Sequence, residues 1–327
     1  MSLSEKPLVS VVIPSHNRAT LVMESINSVL NQTYSNLELI LVDDCSSDNT
    51  KDVVRNITDP RFHYVCLERQ SGACAARNKG IELAKGELIA FNDSDDHWAP
   101  EKLASQIEFL RTTEADVVIC RMNCYYTDGT FSHSFPLIST QKQLSYKDLL
   151  IYNSASTQLI MGRAECFRTV RFDPDMPRMQ DWDIILRLSL RYSIFYQNVV
   201  LVNTYLQKDS ISSHPEKGLC AMRKLFAKHS KTILSSPVIA ESFLKKAASF
   251  SCKSGYNPVA SMDFLSKASP SLFHFLRYLL ACAGLYLPCF NFKHSFLTKN
   301  ASSFPVLGSL VEKIRWRRTE SALTARR

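Results

Sequence analysis

The sequence predicts an α/β fold, a doubly wound and mainly parallel sheet, followed by a helical C-terminal region. Over the first 120 or so residues, short apolar runs alternate with segments of helical period, joined by short links. Polar or acidic clusters fall at the carboxyl ends of three of those runs, where open α/β sheets bind their ligands. Charge also divides the chain. Residues 1–217 hold 22 Lys and Arg against 27 Asp and Glu, whereas residues 218–327 hold 17 against 4. At 327 residues the chain has room for one large domain and an appendage. The expected boundaries are 1–217, itself divided at about 127, and 218–327.

The elements follow in order. Val9-Ser10-Val11-Val12-Ile13-Pro14 is β-branched and closed by proline, which predicts a first buried strand. Ser15-His16-Asn17-Arg18 turns the chain, and Leu21, Val22, Ile26, Val29 and Leu30 then recur at helical spacing. Residues 37–42 predict a second strand, running into Asp43-Asp44. Ser46, Ser47 and Asp48 are cap residues for a helix over 49–57. Residues 62–67 predict a third strand. Gly72 opens a small-residue helix that Gly86 stops. A fourth strand spans 87–91, a helix starts near Pro100, and a fifth strand covers 116–120. From about 128 the alternation ends, and residues 128–162 read as a β-rich excursion with a turn at Gly129. Ile184, Ile185 and Leu188 predict a helix opened by Gln180-Asp181-Trp182-Asp183. Two closing strands are expected at 194–197 and 199–206, and helices over 219–268.

The densest chemistry follows the fourth strand, where Asp93-Ser94-Asp95-Asp96 places three carboxylates in four positions. They repel one another unless a cation lies among them. Hard oxygen ligands at this density suit Mg²⁺ or Mn²⁺, usually shared with a phosphate. A solvated acidic turn capping the next helix would use the same residues. Ser15-His16-Asn17 and Asp43-Asp44 lie at the same edge, and together the three ends favour a ligand site over three unrelated turns. Asp181 and Asp183, taken alone, read as partners of a helix dipole.

The ten cysteines are scattered, with no Cys-x-x-Cys pair, which argues against zinc and for free thiols in a reducing compartment. The polar start of the chain lacks the apolar core of a signal peptide, so a cytoplasmic location is expected. Residues 272–292 form the most apolar stretch, interrupted by Arg277 and Pro288, and Lys313-Ile314-Arg315-Trp316-Arg317-Arg318 is basic with an aromatic. Together they predict peripheral contact of 270–327 with a membrane, at the cytoplasmic face of the inner membrane. No nucleic-acid motif accompanies the basic tail, so a nucleic-acid partner is not expected.

Five ordered motifs resemble those of the family 2 inverting glycosyltransferases, which have the GT-A fold. They are Val9 to Asn17, Val42-Asp43-Asp44-Cys45-Ser46-Ser47-Asp48-Asn49-Thr50, Ala76-Arg77-Asn78-Lys79-Gly80, Asp93-Ser94-Asp95-Asp96 and Gln180-Asp181-Trp182-Asp183. The resemblance covers about residues 8–215 and makes 1–127 the nucleotide-sugar half and 128–217 the acceptor half. It implies a nucleotide-sugar donor, UDP-linked, and a saccharide or lipid-linked saccharide acceptor of O-antigen or capsule type. It assigns donor binding to Pro14, His16, Asn17, Asp43, Asp44, Arg77, Asp93 and Ser94. It assigns a divalent cation, Mn²⁺ or Mg²⁺, to Asp93, Asp95 and Asp96, and the catalytic base to Asp181. His16 departs from the usual Tyr and Gln180 from the usual Glu. The late Arg-x-His signature is absent from Tyr205-Leu206-Gln207-Lys208-Asp209-Ser210, leaving Lys208 or His214 as substitutes. A nucleotidyltransferase would need a Gly-rich loop after the first strand, and none is there. An inactive nucleotide-binding or scaffolding relative is the other alternative, and would be marked by loss of the acids.

Overall fold

A computed structural model of the protein describes residues 3–206 and 214–253. The chain divides into two compact units, Met1–Ser210 and Ile211–Arg327. The sequence reading placed that boundary at 217.

The first unit opens with β1 (Val9–Ser15), α1 (Val22–Leu30), β2 (Leu37–Asp43), α2 (Thr50–Val54), β3 (Phe62–Cys66), α3 (Ala73–Leu83) and β4 (Leu88–Phe91), the expected alternation. Every residue of β1, β2 and β4 is buried. Burial without alternation is what helices on both faces of a sheet produce. The order β3-β2-β1-β4 is parallel throughout. Strands run outward to both sides of β1, which makes the carboxyl ends of β1 and β4 a topological switch point. Register then sets the site: Ser15 lies opposite Asp43, so the first two polar strand ends stand level.

The sequence of α3 explains its fit. A Cβ on Gly80 would stand 2.2 Å from Val12 Cγ1, so only glycine lets this helix lie so close to β1. Helix α2 is shorter than the expected 49–57. Its N-cap is Asn49, whose side chain makes no cap bond; the anticipated Asp48 sits one residue earlier, its Oδ1 accepting from the Thr50 N–H at 3.0 Å. Asn56-Ile57-Thr58 are weak helix formers, and Pro60 disfavours helix at Asp59.

The second half of the unit contains β5 (Asp96–Trp98), α4 (Lys102–Thr113), β6 (Val117–Tyr125), β7 (Phe131–Phe135), β8 (Lys142–Gln143), α5 (Tyr146–Ile151), β9 (Ile160–Arg163), α6 (Ala164–Thr169), α7 (Gln180–Leu188) and β10 (Ile194–Tyr205). A 3₁₀ turn, Thr157–Leu159, precedes β9. The expected β-rich excursion is therefore half helical. Its α5 is opened by a capping box in which the Ser145 hydroxyl and Asp148 carboxylate serve each other's backbone N–H. Strand β9 enters the sheet between β4 and β6, antiparallel to both. Gly162 permits this, since a Cβ there would lie 2.7 Å from Asp116 O. The two closing strands expected at 194–197 and 199–206 are one strand, β10, with register shifts between Tyr196 and Val202. Asn198 sits in that irregularity, its Nδ2 donating to Ser139 O at 2.8 Å and its Oδ1 accepting from the Tyr196 hydroxyl at 3.0 Å.

In the second unit, α8 (Pro215–Ser235) and α9 (Pro237–Lys253) pair, with Phe226 and Phe243 ring centroids 6.0 Å apart. Proline opens α8 at its first turn, where no N–H is needed. Among the described residues no helix is long and apolar enough to cross a membrane. The apolar stretch 272–292, the basic tail and Lys208 lie outside the described residues. His214 is exposed, with its Nδ1 3.3 Å from Glu216 Oε1. The described cysteines are free, and Cys74, Cys120, Cys124 and Cys166 are buried.

Candidate active site

Two loops make one wall of the switch-point crevice. Pro14 is buried in β1. His16 follows, its Nδ1 2.9 Å from Asp44 O and its Nε2 3.2 Å from Gln70 Nε2. Asn17 is exposed and left-handed, with φ 52°. Its Oδ1 accepts from the Ser47 N–H at 2.8 Å and the Asp48 N–H at 3.3 Å, tying the turn after β1 to the turn after β2. Asn17 therefore has a structural task in addition to the assigned one. Asparagine suits it, since a short polar side chain tolerates this backbone and bonds locally.

Asp43 accepts from the Ser46 N–H (2.9 Å), the Ser46 hydroxyl (2.5 Å) and the Tyr64 hydroxyl (2.7 Å). Burial, and then this bond, push the Tyr64 phenol above its usual range. Asp44 accepts from the Ser71 N–H at 2.6 Å and the Gly72 N–H at 2.7 Å, and so serves the start of α3. Both carboxylates, 1% and 4% exposed, are oriented by the protein rather than left free at the surface.

Arg77 is the hub. Its side chain is 7% exposed, and one guanidinium donates to Asp93 Oδ1 at 2.7 Å, Gln180 Oε1 at 2.9 Å and Thr157 Oγ1 at 3.2 Å. Its Cζ lies 5.4 Å from the centre of the Phe172 ring. Asn78, the next residue, fixes that ring's backbone: its Nδ2 donates to Phe172 O at 2.8 Å and its Oδ1 accepts from the Phe172 N–H at 2.9 Å. The Arg-Asn pair thus faces two ways, one residue to the acids and one to the wall behind them.

The acidic loop is held from below by α1. The Ser25 hydroxyl donates to Asp93 O at 2.9 Å and accepts from Asn92 Nδ2 at 2.9 Å. Ser94 is buried and Asp95 half-buried. Asp96 is 2% exposed, opposite Thr204 in the β5–β10 register, and a bond to the Thr204 side chain favours its ionised form. Its Oδ1 is buried without a hydrogen-bond partner. Burial first, then the charge of Asp93, push Asp95 upward. Burial, Asp93 and Asp95 push Asp96 further. Among the described residues no three His, Cys, Asp or Glu side chains form a ready metal cage. The orphaned Asp96 oxygen and the mutually repelling acids nonetheless fit a cation whose remaining ligands come from a phosphate.

Asp181 lies in the first turn of α7, half-buried, with Oδ1 accepting from the Trp182 N–H at 2.8 Å. Burial raises its pKa to about 6; the Trp182 bond and Arg77 oppose the rise, and Asp93 adds to it. Gln180 is turned to Arg77 and holds no acid. Asp183 is fully buried and bound to Arg187 Nε at 2.9 Å, so of the two acids in this turn it is the structural one. Trp182 anchors the turn, its Nε1 donating to Leu149 O at 2.6 Å.

The sequence reading missed Thr157, Phe172 and Thr204, which touch Arg77, Asp93 or Asp96. Thr204 lies in an expected strand, but no spacing marks it or Phe172. Thr157 lies in an excursion without periodicity.

The family model "Glycosyl transferase family 2" matches residues 10–176. A UDP-Glc:alpha-D-GlcNAc-diphosphoundecaprenol beta-1,3-glucosyltransferase, WfaP of Escherichia coli, is 33% identical over 218 residues, covering 65% of this chain and 82% of that protein. The structure of S. aureus TarS 1-349 in complex with UDP-GlcNAc is similar with TM-score 0.67 at 21% identity, covering 82% of this chain and 83% of that one. The Pyrobaculum calidifontis mannosyltransferase PcManGT, in complex with GDP-Man and Mn²⁺, gives TM-score 0.58 at 19% identity, covering 88% of this chain and 83% of that one. The fold is of the GT-A type that these neighbours share. The chain is a member of glycosyl transferase family 2.

Proposed function

We propose that the chain is a metal-dependent inverting glycosyltransferase that moves a sugar from a UDP-linked donor to a hydroxyl of a saccharide or lipid-linked saccharide in cell-surface polysaccharide synthesis. The observation that carries this reading is the Arg77 junction. One guanidinium binds Asp93 of the acidic loop and Gln180, the neighbour of Asp181. It ties the group that faces the donor phosphates to the group that would face the acceptor. The UDP-GlcNAc complex of TarS and the lipid-linked acceptor in the name of WfaP support the substrate classes.

In this reading His16, Asn17, Asp43 and Asp44 line the nucleoside pocket with Pro14, and Arg77 and Ser94 shape its phosphate end. Asp93, Asp95 and Asp96 would hold a divalent cation, which when bound supplies electrostatic stabilisation to the departing diphosphate. Asp181 takes the proton from the acceptor hydroxyl, on the side away from the leaving group, so the anomeric centre inverts. Its raised pKa suits this work, since a base titrating near 6 is ionised at neutral pH yet basic enough to accept a proton.

The test is a panel of nucleotide sugars with Mn²⁺ or Mg²⁺, scored for thermal stabilisation and release of nucleoside diphosphate, with the product's anomeric configuration read by NMR. UDP-sugars are expected to stabilise the protein and to turn over with inversion, and EDTA to abolish turnover. Turnover that survives EDTA, or retention of configuration, would refute it.

A further inference from the structure

Behind the acidic loop lies a buried polar chain without a task in that reading. Lys102, at the start of α4, is 0% exposed. Its ammonium donates to Gln106 Oε1 at 2.6 Å and lies 3.9 Å from the centre of the Trp98 ring. Gln106 in turn donates from Nε2 to Leu159 O at 3.0 Å. Trp98 and Asp96 are two apart on β5 and share one face of it. Leu159 closes the 3₁₀ turn whose Thr157 hydroxyl lies 3.3 Å and 3.2 Å from the two Asp93 carboxylate oxygens. The chain therefore runs from the strand that carries Asp96 to the turn that holds Asp93.

An ammonium buried without a carboxylate opposes folding. Burial pushes the Lys102 pKa down to about 8, which expresses the same cost. Methionine, of similar length, would fill the space without it. Stability is thus a poor reason for a lysine here, and the geometry supplies another.

We propose that Lys102 is a positioning residue: with Gln106 it clamps β5 to the Thr157–Leu159 turn and so sets the separation of Asp96 and Asp93. This rests on the metal-dependent reading above. The test uses the full chain and two variants, Lys102→Met and Gln106→Glu. Mn²⁺ affinity in the presence of UDP is followed by electron paramagnetic resonance, and melting is measured without ligand. Lys102→Met is expected to melt at or above the wild-type temperature while binding Mn²⁺ about tenfold more weakly, as loss of outer partners does at metal sites. Gln106→Glu keeps a partner for Lys102 but turns an acceptor oxygen toward Leu159 O in place of the donor, and is expected to weaken Mn²⁺ similarly. A lower melting temperature or loss of the fold in Lys102→Met, with Mn²⁺ affinity of Gln106→Glu unchanged, would overturn the inference. Wild-type protein that binds no Mn²⁺ with UDP would overturn the metal-dependent reading and this inference with it. Wild-type binding matched by both variants would overturn this inference alone.

Discussion

Arg77 shows what a single residue decides here. A guanidinium cannot be neutralised within a protein, so one that is 7% exposed must find anions or carbonyl oxygens for its donors. It finds Asp93, Gln180 and Thr157. With glutamine at 180 instead of glutamate, Asp93 is, among the described residues, the one carboxylate it bonds directly, and its charge also opposes the rise in the Asp181 pKa. Arg77→Met is expected to lower kcat about a hundredfold, since the Gln180 turn that carries the proposed base and the acidic loop lose their common anchor. The same change is expected to lower the urea midpoint, because Asp93 keeps its charge without its partner. A kcat within threefold of wild type would show that the anchor is dispensable. The carboxylates at 43, 44, 93, 95 and 96 stood out in the sequence because charge at a strand end is a local pattern, whereas Asp181, a helix-dipole partner by pattern alone, was singled out by the family resemblance. The partners of Arg77 were not legible, because a cation within a helix does not announce which way it points. Thr157 comes from a stretch without any period.

At the scale of elements, glycine positions carry much of the fit. Gly86 was legible as a helix stop, but its stronger constraint comes from packing. A Cβ there would stand 2.6 Å from Leu8 O, 2.7 Å from Leu88 O and 2.8 Å from Ser10 N, all backbone atoms that cannot swing away. Its N–H also donates to the buried Ser10 hydroxyl at 2.8 Å, and that hydroxyl donates to Glu38 at 2.5 Å. Gly86→Ala is therefore expected to cost on the order of 2 kcal/mol or more, read as a lower urea midpoint at unchanged slope. A midpoint equal to wild type would mean that the β4 entry is more pliable than its contacts indicate. Strands β1, β2 and β4 were legible because both faces are buried and their runs are almost wholly apolar, and the half-exposed β3 by its short aromatic and β-branched run. The break inside β10 was read as a gap between strands because a bulge at Asn198 interrupts the apolar run without ending the ladder. The helices α5 and α6 were missed because each has only six residues, too short to show a period.

For the whole molecule, the parallel half was written in the alternation of runs, and the antiparallel strand at its centre was not. Strand β9 arrives from a distant segment, and nothing local tells a strand which neighbours it will take. The same long-range assembly makes the site. The acidic loop ends β4, Asp181 comes from α7 far along the chain, and Arg77 of α3 joins them. That division of labour predicts separable functions. Burial raises the Asp181 pKa to about 6, and in the proposed mechanism its ionised form is the active one. Transfer by the wild type should therefore be flat above pH 7 and fall about tenfold per unit well below pH 6. The most direct measurement compares wild type and Asp181→Asn in transfer assays from pH 5 to 8, alongside Mn²⁺ and UDP binding. The variant is expected to lose transfer by about a thousandfold or more at every pH while binding Mn²⁺ and UDP within twofold of wild type. Near wild-type transfer by Asp181→Asn, with the acid limb still present, would contradict the assignment of the proton transfer to this residue.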